Sequence, residues 1–173
     1  TQCTLGEGPL WHPRRQELFW FDILGKRLYC SGQQWQFDNY VSAAGWVDDE
    51  TLLVAGAAGL FLFDLETGAR EDLVALEADN PATRSNDGRA DPHGGFWIGT
   101  MGIGAEPGAG AIYRYYRGEL RQLHAGLTLP HALCFSPDGG HVHFTHTPPR
   151  PILPQRLSAR HGRPEGLSPI HIC

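Results

Sequence analysis

The stretch Gly8-Pro9-Leu10-Trp11-His12-Pro13, followed by a β-rich run over residues 18–23, sets a pattern that recurs along the chain. Each copy has a short apolar stretch, a proline turn, a few polar residues and then a β-rich run. Further copies have their turns at Pro92 and Pro137, and a weaker copy has Asp48 in the position of the proline. The repeat length is roughly 35 to 45 residues, which is typical of a β-propeller with one four-stranded blade per repeat. The sequence therefore predicts an all-β protein.

The register of the copies predicts a site. Glu7, Asn86 and His131 each stand six residues before a turn proline. In a propeller, residues at the same offset from the turn in different blades occupy the same place around the central axis. We therefore expect these three side chains to converge at one mouth of the channel. Coincidence combined with ordinary loop polarity is the alternative interpretation of the spacing.

Each candidate residue also has an ordinary structural explanation. Arg84 and Asn86 share one side of an extended strand, and together they suit a polyhydroxylated or carboxylated small molecule. Arg84 could equally lie on a blade surface, and Glu7, placed between two glycines, could be a solvated loop residue. A lone histidine such as His131 is more often structural than metal-binding.

Composition limits the class of protein. The chain has 173 residues, 41% of them apolar, with five tryptophans, as expected for one folded domain. The net charge of -5, without a basic run in the first 140 residues, argues against a nucleic-acid partner. No apolar stretch approaches the length of a membrane span, and no signal peptide is visible, which predicts a cytoplasmic location. Nucleophile-elbow, P-loop and dinucleotide-binding motifs are absent.

The character of the sequence changes near residue 147. We expect residues 1–147 to form a partial propeller, and residues 148–173 to form a divergent, disordered tail. Prolines 148, 149, 151 and 154 each lack a backbone donor, so residues from about 152 onward should not complete the fourth blade. The abrupt change suggests a frameshift near codons 147 to 152; a genuine divergent terminus is the alternative.

Several motifs together resemble the SMP-30 (regucalcin), gluconolactonase and sugar lactonase family, and the resemblance runs from about residue 3 to about residue 152. The motifs that carry it are Gly6-Glu7-Gly8-Pro9-Leu10-Trp11, Arg84-Ser85-Asn86-Asp87-Gly88-Arg89-Ala90-Asp91-Pro92, Phe96-Trp97-Ile98-Gly99-Thr100-Met101, residues 105–113, and Phe135-Ser136-Pro137-Asp138-Gly139. The resemblance implies a six-bladed propeller with one divalent metal ion at the mouth of its channel. At about 45 residues a blade, six blades need about 270 residues, so this chain offers about three blades and part of a fourth.

The resemblance also implies roles for single residues. Glu7 matches the glutamate ligand of the metal. The asparagine ligand falls at His131, because the usual Pro-Asn-Gly reads Pro130-His131-Ala132 here. Arg84 and Asn86 match the residues that hold the substrate hydroxyls. An acidic substrate contact of some members falls near Gly104, where it is unmatched, although Glu106 is close by.

The family chemistry is hydrolysis of an aldonolactone to the aldonic acid, with the metal ion polarising the carbonyl and a late aspartate acting as the base. That aspartate belongs to a blade beyond the pattern found here, so we assign no catalytic residue. The metal ion could be Ca, Zn, Fe, Mn or Mg; imidazole in place of an amide oxygen favours zinc or iron over calcium.

Three functions stay open. The chain could be a truncated, weak or inactive relative of the sugar lactonases. It could instead be a non-catalytic module that binds a metal ion or a sugar. It could also be a half-propeller that self-associates through its open sheet edges. The absence of the late aspartate favours the second and third hypotheses. If Glu7 and His131 share a metal ion, their nearest side-chain atoms should lie about 3 to 5 Å apart.

Overall fold

The structure, a computed structural model, describes residues 2–146 and 152–165. These residues form four antiparallel sheets arranged as successive blades, each sheet with its strands in sequence order. Blade 1 contains β1 (Gly6–His12), β2 (Glu17–Asp22), β3 (Arg27–Cys30) and β4 (Gln33–Gln36). Blade 2 contains β5 (Val41–Trp46), β6 (Thr51–Gly56), β7 (Gly59–Asp64) and β8 (Arg70–Ala75). Blade 3 contains β9 (Thr83–Ala90), β10 (Phe96–Gly102), β11 (Gly110–Tyr116) and β12 (Glu119–Leu127). Blade 4 contains β13 (Pro130–Phe135), β14 (His141–His146) and β15 (Leu153–Arg156).

This architecture confirms the all-β, propeller-like prediction, with three four-stranded blades and a three-stranded fourth sheet among the described residues. The innermost strands β1, β5, β9 and β13 contact one another in that order. No helix in the described part of the chain is long and apolar enough to cross a membrane.

Hydrophobic side chains pack between neighbouring blades and hold them together. Phe19 and Phe21 of blade 1 are completely buried in one cluster with Phe61 of blade 2. On β10, Phe96 and Ile98 join the cluster that faces blade 2. The intervening Trp97 joins the cluster that faces blade 4. This alternation follows from the two-residue period of a strand, so the central strand of a blade is apolar on both faces.

Side-chain oxygens cap the hairpin turns and explain why proline is not required in every repeat. Asp48 Oδ1 accepts hydrogen bonds from the amides of Glu50 and Thr51, at 3.0 and 2.8 Å. Asp138 Oδ1 accepts the amide of Gly140 at 2.9 Å in the corresponding turn of blade 4. Aspartate stabilises such turns by bonding to backbone two or three residues further on. Asp48 therefore closes the turn of the weaker repeat.

Each innermost strand carries a β-bulge near its start. Each of these strands has one extra residue relative to the strand beside it. The extra residue lies between Glu7 and Leu10 in β1, between Val41 and Ala43 in β5, between Ser85 and Gly88 in β9, and between His131 and Cys134 in β13. Bulges bend a strand and redirect its side chains, and they are common beside functional sites. Because the bulges recur at equivalent positions, the residues six positions before each turn lie at or beside a bulge in every blade.

Residues from about 152 onward are expected not to complete the fourth blade; in the described residues they add a third strand, β15, and no fourth strand follows it there. This strand pairs with β14, with Pro154 opposite His143, and Leu157 is buried and bridges to Pro164. β15 is the last strand of the sheet in the described residues, and an edge strand tolerates proline because one row of its amides needs no partner. The expectation of a divergent, disordered tail over residues 148–173 stays a prediction. Residues 147–151 and 166–173 lie outside the described residues, and the domain boundary at 147 stays a prediction.

Candidate functional site

A cavity of about 420 Å³ lies along the innermost strands β1, β9 and β13, with both polar and apolar residues in its lining. All four residues singled out from the sequence line it, namely Glu7, Arg84, Asn86 and His131. The other lining residues are Leu5, Gly8, Pro9, Asp87, Arg89, Met101, Leu129, Ala132 and Leu133. The structure thus brings the four predicted residues together, while their roles and the separation of Glu7 from His131 stay predictions.

Blade 2 supports the site from behind: its Ser42 contacts residues of blades 1 and 3, but no blade 2 residue is among those that line the cavity. Ser42 occupies the position six residues before the turn at Asp48, and it is completely buried. Its hydroxyl donates to Ser85 Oγ at 2.8 Å. The Ser42 carbonyl also restricts Gly8, because a Cβ on Gly8 would lie 2.3 Å from that oxygen. Close approach of the backbones here requires glycine beside Glu7.

The bulges beside Glu7 and His131 have the same backbone geometry. Gly8 has a φ of 59°, and Ala132, the equivalent residue after His131, has a φ of 58°. A left-handed conformation is easy for glycine but costs alanine about 1 to 2 kcal/mol. Ala132 therefore holds a strained conformation to keep the bulge that presents His131.

Arg84 is a buried cation on the wall of the cavity. The residue is 5% exposed, and its Nη1 donates to the Ser85 carbonyl at 2.8 Å and to Asn86 Oδ1 at 3.2 Å. Burial lowers the pKa of the Arg84 guanidinium, while the charges of Tyr40 and Glu7 oppose that shift. The hydrogen bond to Asn86 confirms that the two side chains lie together, as their spacing in an extended strand predicted.

Asn86 and its neighbour Asp87 hold the bulge that carries His131. Asn86 Nδ2 donates to the Pro130 carbonyl at 3.3 Å, on one side of His131. Asp87 Oδ2 accepts the Leu133 amide at 2.9 Å, on the other side. Sequence reasoning missed Asp87 as a site residue, because Asp87-Gly88 has the composition of a turn. Asn86 retains one N–H and one lone pair for a ligand.

Glu106 lies in the loop between β10 and β11 and is not among the residues that line the cavity. It is exposed, and its Oε2 accepts the Gly104 amide at 3.1 Å. Its carboxylate packs against the backbone of the loop that contains Gly102 and Gly104. The acidic contact near Gly104 that the resemblance implies is therefore not supplied by Glu106 in this conformation.

The donor atoms of the cavity partly suit a divalent metal ion. Glu7 and His131 offer a carboxylate and an imidazole from equivalent bulges, a pair that zinc and iron accept readily. The described residues contain no group of three or more His, Cys, Asp and Glu side chains placed to hold an ion. This part of the chain therefore supplies two candidate ligands.

The fold and the cavity define a class: propeller-like proteins whose innermost strands present polar side chains to a shared cavity. The chain belongs to the SMP-30/Gluconolactonase/LRE-like family, which it matches over residues 5–172. It is 37% identical over 170 residues to L-arabinolactonase of Azospirillum brasilense, covering 88% of this chain and 54% of that protein. It is 33% identical over 151 residues to 6-deoxy-6-sulfogluconolactonase of Pseudomonas putida, covering 83% of this chain and 52% of that protein.

Solved structures agree with this placement. A structure described as a calcium-binding protein, regucalcin, from Agrobacterium tumefaciens is 40% identical, with a TM-score of 0.92 over 96% of this chain and 58% of the other. The chain thus spans about half the length of the curated relatives it matches.

Proposed function

We propose that this chain carries part of the active site of a sugar lactonase, which hydrolyses an aldonolactone to the aldonic acid. The observation that carries the proposal is the convergence of Glu7, Arg84, Asn86 and His131 on one cavity. Support also comes from the relatives, since the two named above act on lactones of sugars. We further propose that the four blades belong to a six-bladed ring.

The chain's own residues would bind and orient the substrate. Arg84 and Asn86 can each donate to sugar oxygens, and their mutual hydrogen bond fixes the direction of both groups. Asp87 and Asn86 hold the bulge of His131, so its imidazole stays on the same wall. Overall, water adds to the lactone carbonyl carbon, the ring C–O bond breaks, and the released alkoxide takes a proton.

Glu7 and His131 are the residues that would hold a divalent metal ion. When bound, such an ion supplies Lewis-acid polarisation of a carbonyl oxygen. No residue of this chain is assigned as the base.

Binding without hydrolysis is the second candidate function, and the presence of only two candidate ligands in the described residues favours it. A cytoplasmic location and self-association through open sheet edges stay predictions.

Titration of acid release tests the proposal. The 173-residue chain is incubated with aldono-lactones at constant pH, with and without Zn²⁺, Ca²⁺ or Mn²⁺, beside E7Q and H131A. Metal-dependent acid release that both variants abolish supports a lactonase. Metal binding by calorimetry without acid release supports a binding module, and the absence of both contradicts the proposal. Light scattering on the same samples measures whether the chain self-associates.

A further inference from the structure

A second cavity, of about 440 Å³, lies between blades 2 and 3 and shares no lining residue with the cavity of the candidate functional site. Both of these blades have four strands, so the cavity is separate from the open edges of the sheets. Its lining contains no charged side chain, and its polar side-chain groups are the Tyr115 hydroxyl and the Trp46 indole N–H. Its volume falls within the range of small-molecule sites, about 300 to 1,000 Å³.

The position two residues before each turn explains why this space is open. The residues at this position are Trp11, Trp46, Ala90 and Phe135 in blades 1 to 4. Trp46 packs towards blade 1, where its ring centroid lies 5.5 Å from that of His12. Phe135 packs towards blade 3, with its ring centroid 5.8 Å from that of Trp97. In both crevices, therefore, an aromatic ring of the later blade packs against the earlier blade, whereas Ala90 supplies no ring between blades 2 and 3.

The facing strand of blade 2 is also small at this level. A Cβ on Gly45 would lie 3.5 Å from the Ala90 Cβ and 3.4 Å from the Phe96 ring, so Ala90 and Phe96 face blade 2. Blade 1 has Leu10 at the position of Gly45, three residues before the turn, and Leu10 packs against the cluster of blades 1 and 2. Glycine and alanine thus line the cavity where the preceding crevice has leucine and tryptophan.

Apolar side chains around the cavity are left partly exposed. Leu62, Leu73 and Tyr115 pack against the hydrophobic cluster between blades 2 and 3 but are only partly buried. Trp46 and Val47 are 43% and 50% exposed. An occupant that covers these side chains gains the hydrophobic effect. Aromatic residues in the lining favour a planar ring, and the lack of a charged side chain there favours a neutral one, because an unpaired charge is costly to bury.

We propose that this cavity binds a small, neutral, planar aromatic molecule of one or two rings. Its ring takes the place that Trp46 and Phe135 fill in the neighbouring crevices. The Tyr115 hydroxyl and the Trp46 N–H are available to a polar atom on the edge of the ligand. The site is independent of the proposed lactonase activity, because the two cavities have no lining residue in common.

Isothermal titration calorimetry of the 173-residue chain with indole, a neutral two-ring compound, tests the site. We expect a dissociation constant below about 1 mM, which is modest for a molecule of this size. A90F places the ring of blade 4 at the equivalent position of blade 3. It should weaken indole binding at least about tenfold and raise the urea midpoint, because the new side chain fills the cavity. Ala125, exposed on β12, provides the matched control A125F, which should leave indole affinity unchanged.

G45L fills the same space from blade 2 and should also weaken indole binding, which keeps the test decisive if A90F does not fold. The absence of indole binding at about 5 mM overturns the inference. So does an unchanged affinity in A90F and G45L, or an equal loss in A125F. Light scattering on wild type and A90F tests a second copy of the chain as the occupant. A wild-type dimer that A90F converts to a monomer would show that the cavity receives a side chain of that copy, and would overturn the proposal of a small molecule.

Discussion

Replacing Asp91 by asparagine should destabilise the fold by about 3 to 5 kcal/mol, the usual cost of breaking a buried ion pair. The Asp91 side chain is completely buried at the turn after β9. One oxygen accepts the amides of His93 and Gly95, at 2.8 and 2.9 Å. The other accepts Trp97 Nε1 at 3.0 Å and Arg114 Nε at 2.5 Å.

The magnitude follows from the donors that asparagine cannot satisfy. Its carbonyl oxygen can keep the two backbone amides, but its NH₂ group then faces the N–H groups of Trp97 and Arg114. Each buried donor left without an acceptor costs about 1 to 3 kcal/mol, and a charged donor costs more. The Nε–Asp91 contact is the one hydrogen bond of this guanidinium within the described residues, and Arg114 Nη2 is already buried without a partner. Loss of both contacts therefore gives the stated range.

Urea unfolding followed by tryptophan fluorescence measures the effect. The matched control is D72N, which makes the same chemical change in an ion pair whose Asp72 side chain is 73% exposed. Exposed pairs contribute little, so D72N should change stability by less than about 0.5 kcal/mol. The double variant D91N/R114M should be less destabilised than the sum of its parts, because neither charge is left unpaired. A loss below about 1 kcal/mol for D91N would refute the reasoning.

The same pair predicts a pH dependence. Burial raises the pKa of Asp91, but the hydrogen bond from Arg114 and the amides of Gly95 and His93 outweigh it, so the folded pKa lies below the ordinary value. The stabilisation is therefore complete above the unfolded pKa of about 3.9, and it disappears as the pH falls through the lower folded pKa. Wild type should lose more stability than D91N in this acid range. If the stability of wild type and of D91N falls equally with decreasing pH, Asp91 is not the source of this pH dependence.

Further predictions concern the bulge of His131. A132G should stabilise the chain by about 0.5 to 1 kcal/mol in urea unfolding, because relief of the left-handed strain exceeds the added entropy of the unfolded chain; a loss of stability would contradict that strain. D87A should cost about 1 to 2 kcal/mol by freeing the Leu133 amide, while D87N, which retains an acceptor, should cost less; equal losses would contradict the hydrogen bond. H131N should shift metal preference from zinc towards calcium in competition calorimetry, and an unchanged preference would argue against His131 as a ligand.

Much of the fold could be predicted from the sequence because its regularities are local. Alternating apolar residues define strands, and a proline or aspartate marks the turn after each innermost strand. The β-rich runs Leu18–Ile23 and Lys26–Cys30, separated by Leu24-Gly25, predict a hairpin, and β2 and β3 pair in that way. Residues 34–37 alternate less clearly, but their position after this hairpin predicts the outer strand of the same blade, and β4 occupies nearly that position.

The errors concern features that depend on tertiary position. Pro154 argues against a strand if the strand is central, but its place at the edge of blade 4 depends on which strands assemble around it. Asp87 has the composition of a turn residue, and only the approach of β13 shows that it holds the Leu133 amide. Neither relation is visible in the local pattern, because both depend on which elements lie beside each other in the folded protein.

The candidate site could be located because it is defined by a spacing along the chain, which can be counted directly in the sequence. The distance along the chain from the turn proline to the bulge is fixed within one strand, so equal offsets place Glu7, Asn86 and His131 at equal heights. Blade 2 has the same offset at Ser42, yet that side chain binds Ser85 and leaves the cavity to the other blades. Offset therefore determines the height of a residue along the axis, whereas side-chain chemistry and the neighbouring blade determine whether it faces a ligand.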